Sequence, residues 1–310
     1  VGTGSLPPER LKRRPGRHAT LPPSHANAGS SVVDLHTHTT RSDGVLEPAA
    51  LVSEVAAAGV KVLAITDHDT LGGYRELRAA AAVPAGLELI AGVEINAISR
   101  GIPLADGELH ILGYGVDPDD DEFEAILARQ RAARRVRFER TVALLREIGL
   151  PIDAQIGGID LERDDALGRP TIARALIAAG FAESVEDAFQ RLIGWGGPAY
   201  VPREGLGPVE AITAIRAAGG LAALAHFSEA PDQVPLLRQL IEQGLRGLEV
   251  YYRSFSTEVV AAVAAVAHEL ALVATGGSDY HGDLMSYAET HAALDVPSSV
   301  ADRLHEALAS

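Results

Sequence analysis

The sequence predicts an α/β fold, a parallel sheet or barrel of buried strands interrupted by a helical insertion. Continuous apolar runs such as VKVLAIT (residues 60–66) and LELIAGVEI (87–95) have the length and density of strands buried on both faces. Helix-forming segments separate successive runs, which is the pattern that makes strands parallel. Between Asp117 and Pro198 the strand pattern stops and only helical segments remain.

The elements follow in order. Val32 and Val33 open a short apolar run that ends in His36 and His38. Glu47 to Ala58 reads as a helix, with Pro48 in its first turn and Gly59 as its stop. The strand 60–66 ends in Asp67-His68-Asp69, Gly72 to Ala82 is the next helix, and the strand 87–95 carries Glu94 near its end. A fourth strand, Glu108 to Val116, holds His110. Asp119 to Gly149 is one long helical stretch bearing Arg129, Arg131, Arg134, Arg135, Arg137 and Arg140, followed by a connector and two short helices to about Gly194. Most of those arginines are expected on a solvated face. The barrel pattern resumes at Tyr200, with a helix from Pro208 to Ala218 and a strand from Leu221 to His226. Later units end in GLEVYY (247–252) and LVATGGSDYHG (272–282), and a helix from Val300 to Ala309 closes the chain. The expected organisation is a barrel over 31–117 and 198–310, with a helical insertion over 118–197.

Composition narrows the function. A chain of 310 residues, 47% hydrophobic, can bury a full core. No apolar run approaches the roughly 20 residues that span a bilayer. Residues 1–30 lack the apolar segment of a secretory signal, so a soluble, cytoplasmic protein with no membrane and no stable protein partner is expected. That segment is rich in Pro, Ser and Gly, carries Arg10, Lys12, Arg13, Arg14 and Arg17, and reads as a flexible basic tail. With no cysteine, any metal must be held by His, Asp or Glu. The net charge of −15 argues against broad coating of nucleic acid and would be partly offset by bound divalent cations.

The chemistry collects at strand ends. Residues two apart along a strand share a face, so His36 and His38 present two imidazoles together, with Asp43 following in a loop built by Ser42 and Gly44. His68, Glu94, His110, His226, Asp279 and His281 stand at or near the ends of later strands. In a barrel of parallel strands, those ends form the rim where active sites assemble. A lone His110 or His226 is more often a satisfied core histidine than a ligand. Their concentration at strand ends is what points to a mixed N/O site for Mn, Fe or Zn. His268, His291 and His305 fall on helical or late segments, and His18 and His25 in the tail, and these read as structural or solvated.

In order along the chain, DLHTHTTRSDG, LAITDHDTLGG, GVEIN, HILGYG, LAALAH and GGSDYHG resemble the motifs of the PHP (polymerase and histidinol phosphatase) family of metal-dependent phosphoesterases. The resemblance covers residues 32–117 and about 200–285. GRPTIARAL, with Arg169, and GGPAYVPR resemble the helical insertion of a branch that acts on nucleoside 3',5'-bisphosphates and on the 5' end of short RNA. Phe227 departs from the pattern, standing where the family has a proline that would stiffen the turn after His226.

The resemblance implies a distorted (β/α)7 barrel with two to three divalent metal ions, manganese first, iron or zinc as alternatives. It implies that His36, His38, Glu94 and Asp279 hold the first metal, and that Glu94 bridges to a second held by His110 and His226. Asp43, His68 and His281 would hold the third, and Glu94, His226 and Asp279 are the expected catalytic members of the set. A hydroxide bridging the metals would attack phosphorus in line, so no Ser or Cys nucleophile is needed. Arg169 is the first candidate for a phosphate clamp, with Arg134 and Arg137 for a second phosphate. Asp67 and Asp69 are expected to orient histidines of the rim or those just behind it rather than bind metal directly.

Three rivals are weighed. An amidohydrolase-type C–N hydrolase often bridges its metals with a carboxylated lysine, but the lysines here are Lys12, in the tail, and Lys61, at the start of a strand. A non-catalytic PHP scaffold would tolerate lost ligands, and all nine positions are filled. Histidinol-phosphate phosphatase is the nearest alternative, and the segment around Arg169 favours the nucleotide branch over it.

Overall fold

The computed structural model describes residues 31–99, 107–159, 167–282 and 285–310, so the basic segment 1–30 lies outside the described residues. In chain order the elements are β1 (Val33–Asp34), α1 (Pro48–Ala57), β2 (Val62–Ile65), α2 (Gly72–Ala80), β3 (Glu88–Ile98) and β4 (Glu108–Tyr114). Four helices follow, α3 (Asp121–Glu147), α4 (Asp153–Ile156), α5 (Arg169–Ala178) and α6 (Val185–Ala188), the last running into a π-turn at Phe189–Ile193. Then come α7 (Pro208–Ala217), β5 (Leu221–Leu224), α8 (Val234–Glu242), β6 (Gly247–Tyr252), α9 (Thr257–Glu269), β7 (Val273–Gly277), α10 (Tyr287–His291) and α11 (Ser299–Leu308). Among the described residues no helix is long and apolar enough to cross a membrane.

The strands form one sheet in sequence order, β1 to β7, and its two ends meet. The Leu35 N–H donates to the Gly276 carbonyl at 3.1 Å, and Thr37 bridges Tyr280. At this seam a Cβ on Gly277 would lie 2.4 Å from the His36 backbone nitrogen, so only glycine lets β7 approach this closely. The result is a nearly closed, distorted barrel.

The expectation of uniformly parallel strands needs correcting. β1–β2–β3 and β5–β6–β7 are parallel, but β4 runs antiparallel to both neighbours, in register from Gly92–Tyr114 to Ile98–Glu108 on one side. This reversal explains the position of His110. In a parallel β4 its place near the strand's start would put it on the far rim. Because β4 is inverted, its N-terminal end lies beside the C-terminal end of β3, and His110 pairs with Asn96.

Helix α3 joins two layers. Its first turn is capped by the Asp120 carboxylate, which accepts from the Phe123 N–H at 2.9 Å, and carries Asp121, Glu122 and Glu124 against the helix dipole. Phe123 and Leu127 pack on the barrel core with Ala211, Ile212 and Ile215. Three turns later Phe138, Val142 and Leu145 join a separate apolar cluster with Ile172, Leu176 and Leu192 of the helices between β4 and β5. Between these anchors Arg131, Arg134 and Arg137, spaced three apart and so on one face, are buried, while Arg129 and Arg140 are exposed, so the solvated face expected for most of the series holds for only part of it.

Candidate metal centre

The rim turns place the donor atoms by backbone as much as by side chain. The Asp279 N–H donates to the His36 carbonyl at 2.7 Å, and the His38 N–H to the Tyr280 carbonyl at 3.0 Å, locking the turns after β1 and β7 together. His68, beyond the end of β2, faces Glu94 of β3 across a parallel bridge. Asp69, His226 and Asp279 all adopt positive φ, at 51°, 31° and 48°. Such strained backbone in non-glycine residues persists where surrounding structure enforces it, as it often does at functional sites.

Among the described residues three groups of donors result, each with its ligand atoms within 4.8 Å of one another. The first is His36, His38, Glu94 and Asp279, the second Glu94, His110 and His226, the third His38, Asp43, His68 and His281. Glu94 belongs to two groups: its Oε2 lies 3.3 Å from His36 Nε2 and 3.2 Å from His38 Nε2, and its Oε1 lies 2.6 Å from His110 Nδ1. Asp279 Oδ1 lies 3.1 Å from His38 Nε2, and Asp43 Oδ1 lies 3.2 Å from His281 Nε2. His38 is central to two groups, which spacing alone did not reveal.

These atoms converge without satisfying one another. His36 Nε2, both ring nitrogens of His38, His68 Nδ1 and Asp43 Oδ1 are buried and lack a hydrogen-bond partner. Buried polar atoms in globular proteins are almost always paired, so a cluster of orphans aimed at common points fits a metal cation, and an N/O donor set suits Mn, Fe or Zn.

The electrostatics agree. Burial would raise the Asp43, Glu94 and Asp279 carboxyls, but the imidazoles around them outweigh it and hold all three well below the usual carboxylate range. Burial lowers His36, yet Glu249, Asp279 and Glu94 draw it well above the ordinary histidine value. Burial lowers His68 too, and there it prevails. Buried carboxylates held ionised favour positive charge beside them, which a divalent cation supplies without protonating a histidine.

Glu249, on β6, was missed by sequence reasoning. It is fully buried; its Oε1 lies 3.0 Å from His36 Nδ1 and its Oε2 accepts from the His226 N–H at 2.7 Å. With the proton on Nδ1, His36 keeps Nε2 free as a ligand. The motif GLEVYY was visible, but a glutamate inside an apolar strand gave no sign of which histidine it would meet. The bond to Glu249 also fixes the turn at His226, and Phe227 is buried in the core beneath, so this turn is held without the family's proline.

Asp67 and Asp69 join none of the donor groups, in line with an orienting role, but neither orients a histidine. Asp67 accepts from the Thr39 N–H and from the hydroxyls of Thr39 and Ser42, each at 2.7 Å, so it organises the loop before Asp43 rather than a histidine. Asp69 accepts from Arg134 Nε at 2.5 Å and from Arg203 Nη2 at 2.9 Å. Lys61 is exposed at the start of β2, and Lys12 lies outside the described residues.

A cavity of about 1190 Å³ opens from these histidines toward the helices. His68, His110 and His226 form its floor, while Arg134, Arg137, Arg169 and Arg203 line its wall. Glu108 lies 3.3 Å from Arg137, 3.5 Å from Arg169 and 3.9 Å from Arg203. Burial raises the Glu108 carboxyl, but these guanidinium groups bring it down to about 2. Four guanidinium groups therefore face two carboxylates, Asp69 and Glu108, and Arg137 Nη2 and Arg203 Nε are buried donors without a partner. Arg134 also donates to Asn96 Oδ1, and Asn96 Nδ2 lies 2.5 Å from His110 Nε2, so the wall is tied to the floor. Arg203 lay in the quoted GGPAYVPR segment, but nothing in its spacing singled it out.

The chain belongs to the PHP domain family, whose model matches residues 34–194. It is 37% identical over 254 residues to a 5'-3' exoribonuclease of Haemophilus influenzae, covering 80% of this chain and 89% of that protein. It is 32% identical over 259 residues to a 3',5'-nucleoside bisphosphate phosphatase of Chromobacterium violaceum, covering 80% and 87%. Among solved structures, a protein of Bifidobacterium adolescentis assigned to the metal-dependent phosphoesterases superposes with a TM-score of 0.71 at 33% identity, covering 82% of this chain and 89% of that one.

Proposed function

We propose that this chain is a metal-dependent phosphoesterase acting on nucleotides, either nucleoside 3',5'-bisphosphates or the 5' end of short RNA. The observation that carries the reading is one cavity with a convergent His/Asp/Glu floor and an arginine wall of net positive charge. The named activities of its relatives support the same chemistry.

In this reading His36, His38, Glu94 and Asp279 hold one divalent metal, and Glu94, His110 and His226 a second. Asp43, His68 and His281, with His38 adjoining, hold a third, and manganese is the first candidate. Divalent ions bound there would supply an activated water near neutral pH and positive charge beside the phosphoryl oxygens. The chain's own residues do the rest. Glu249 keeps the proton of His36 on Nδ1. Asp279 is oriented by the Tyr252 hydroxyl, which donates to its Oδ2 at 3.0 Å. Arg169, Arg134, Arg137 and Arg203 take the second phosphate, for which planar guanidinium forks are suited. With one phosphate on the floor and another on the wall, the substrate is fixed at two points and the scissile ester is oriented for in-line displacement.

The test is phosphate release from adenosine 3',5'-bisphosphate by metal-stripped protein, with and without added Mn. Metal-dependent release supports the reading, and the position of the lost phosphate gives its regiochemistry. Equal or faster turnover of histidinol phosphate would sink the nucleotide assignment, and no release from either by metal-loaded protein would sink the activity.

A further inference from the structure

We infer that Trp195 is the stacking platform for the base of the nucleotide that this cavity binds, an inference that rests on the nucleotide reading above. Trp195 is the chain's only tryptophan, and at 69% exposure it is the most open large hydrophobic residue among the described residues. It lines the same cavity as the histidine floor and the arginine wall.

The other aromatic residues of that cavity are already engaged. Phe138 and Phe227 are buried in apolar clusters. The Phe189 ring carries the Arg169 guanidinium, 5.0 Å from its centroid. Tyr200 meets Trp195 in a T-shaped contact, with centroids 5.3 Å apart and planes at 70°, a single edge-to-face pairing that steadies the indole and leaves it largely exposed.

The turn that carries Trp195 is fixed. The Gly194 N–H donates to the Phe189 carbonyl at 2.8 Å, Gly197 N–H to Gly194 at 2.9 Å, and Ala199 N–H to Leu192 at 2.9 Å. A Cβ at Gly194 would sit 2.3 Å from the Phe189 carbonyl oxygen, and one at Gly197 2.4 Å from that of Leu192, so this winding requires glycine at both. A rigid aromatic face at the edge of a cationic cavity is the arrangement by which proteins hold nucleobases, because every base has a π-face whatever its hydrogen-bonding edge. Preference should therefore be for a base-bearing phosphoester, with little discrimination among bases.

Because Trp195 is the sole tryptophan, its fluorescence reports the contact directly. Titrating the full, metal-loaded chain with adenosine 5'-monophosphate should quench the emission saturably, and ribose 5-phosphate should not. Trp195→Ala should raise KM for adenosine 3',5'-bisphosphate roughly ten-fold with kcat nearly unchanged, the signature of lost uniform binding. Trp195→Phe should restore most of it, and KM for a base-free phosphoester should not move. Turnover of the bisphosphate with no quench and an unchanged KM in Trp195→Ala would overturn the stacking role while leaving the phosphoesterase standing. Quench without turnover would retain the base site and overturn the activity, and neither quench nor turnover would overturn both.

Discussion

The histidine floor and the arginine wall of the cavity lie side by side but are built differently. The floor uses short side chains on strand ends and tight turns, so the backbone fixes the donor positions: His38 N–H to Tyr280, Asp279 N–H to His36, and positive φ at His226 and Asp279. The wall uses long side chains from α3, α5 and the segment before α7, whose tips are placed by mutual charge pairing through Asp69 and Glu108. A site set by backbone tolerates no loss of a member. One set by a network of long cations should degrade gradually.

The largest expected effect tests the first half of that contrast. His36→Ala or Asp279→Ala should each reduce phosphate release to background at any metal concentration, with unchanged far-UV circular dichroism. Full activity in either variant would remove these residues from the metal assignment. Glu249→Gln should be milder, because it disturbs the orientation of His36 and the His226 turn without deleting a donor. Loss of such an outer partner typically weakens metal affinity about 10- to 100-fold. Activity of Glu249→Gln should therefore return at high Mn, and a loss that excess metal does not relieve would mean that Glu249 acts otherwise.

The difference in construction is also why one half was legible in the sequence. Strand periodicity and turn residues place a side chain of two or three rotatable bonds, so His36, His38, His68 and Glu94 could be assigned to the rim from spacing and motif. His110 was recovered despite a wrong strand direction, since the motif carried it where the periodicity would have sent it to the opposite rim. A guanidinium on four rotatable bonds ends wherever its counter-ion is, and that counter-ion is distant in sequence: Arg203 meets Asp69 across 134 positions. For the same reason Asp69 looked like a partner for histidines, and Glu249 was invisible until β6 came to lie behind His36.

The wall's redundancy is tested next. Arg203→Met leaves Asp69 paired with Arg134, and Glu108 beside Arg137 and Arg169, so the fold should hold. Losing one charge-assisted hydrogen bond costs about 1.5–3 kcal/mol, so KM for the bisphosphate should rise roughly ten- to a hundred-fold. A nucleoside monophosphate ester, which lacks the second phosphate, should be affected far less. Equal losses on both substrates would place Arg203 in the support of the floor rather than in the grip on the second phosphate.

The smallest expected effect concerns what holds the wall together when no substrate is bound. The Glu108 carboxyl has an ordinary value of 4.5 and titrates at about 2 in the fold, since Arg203, Arg169 and Arg137 outweigh its burial. A carboxyl whose folded value is depressed binds its proton more weakly in the native state, so its stabilisation is complete above pH 4.5 and is lost as pH falls toward 2. At 1.36 kcal/mol per pH unit the ceiling is about 3 kcal/mol. A glutamine keeps part of the hydrogen bonding, which leaves about 1–2 kcal/mol for the charge itself. Urea unfolding at pH 7 should therefore find Glu108→Gln less stable than the parent by that amount. The gap should be unchanged at pH 5 and should close progressively below 4.5. The floor carboxylates titrate in both proteins and cancel in the difference. A gap that persists unchanged down to pH 2.5 would mean that Glu108 stabilises by shape and hydrogen bonding, and that the arginines hold their places without its charge.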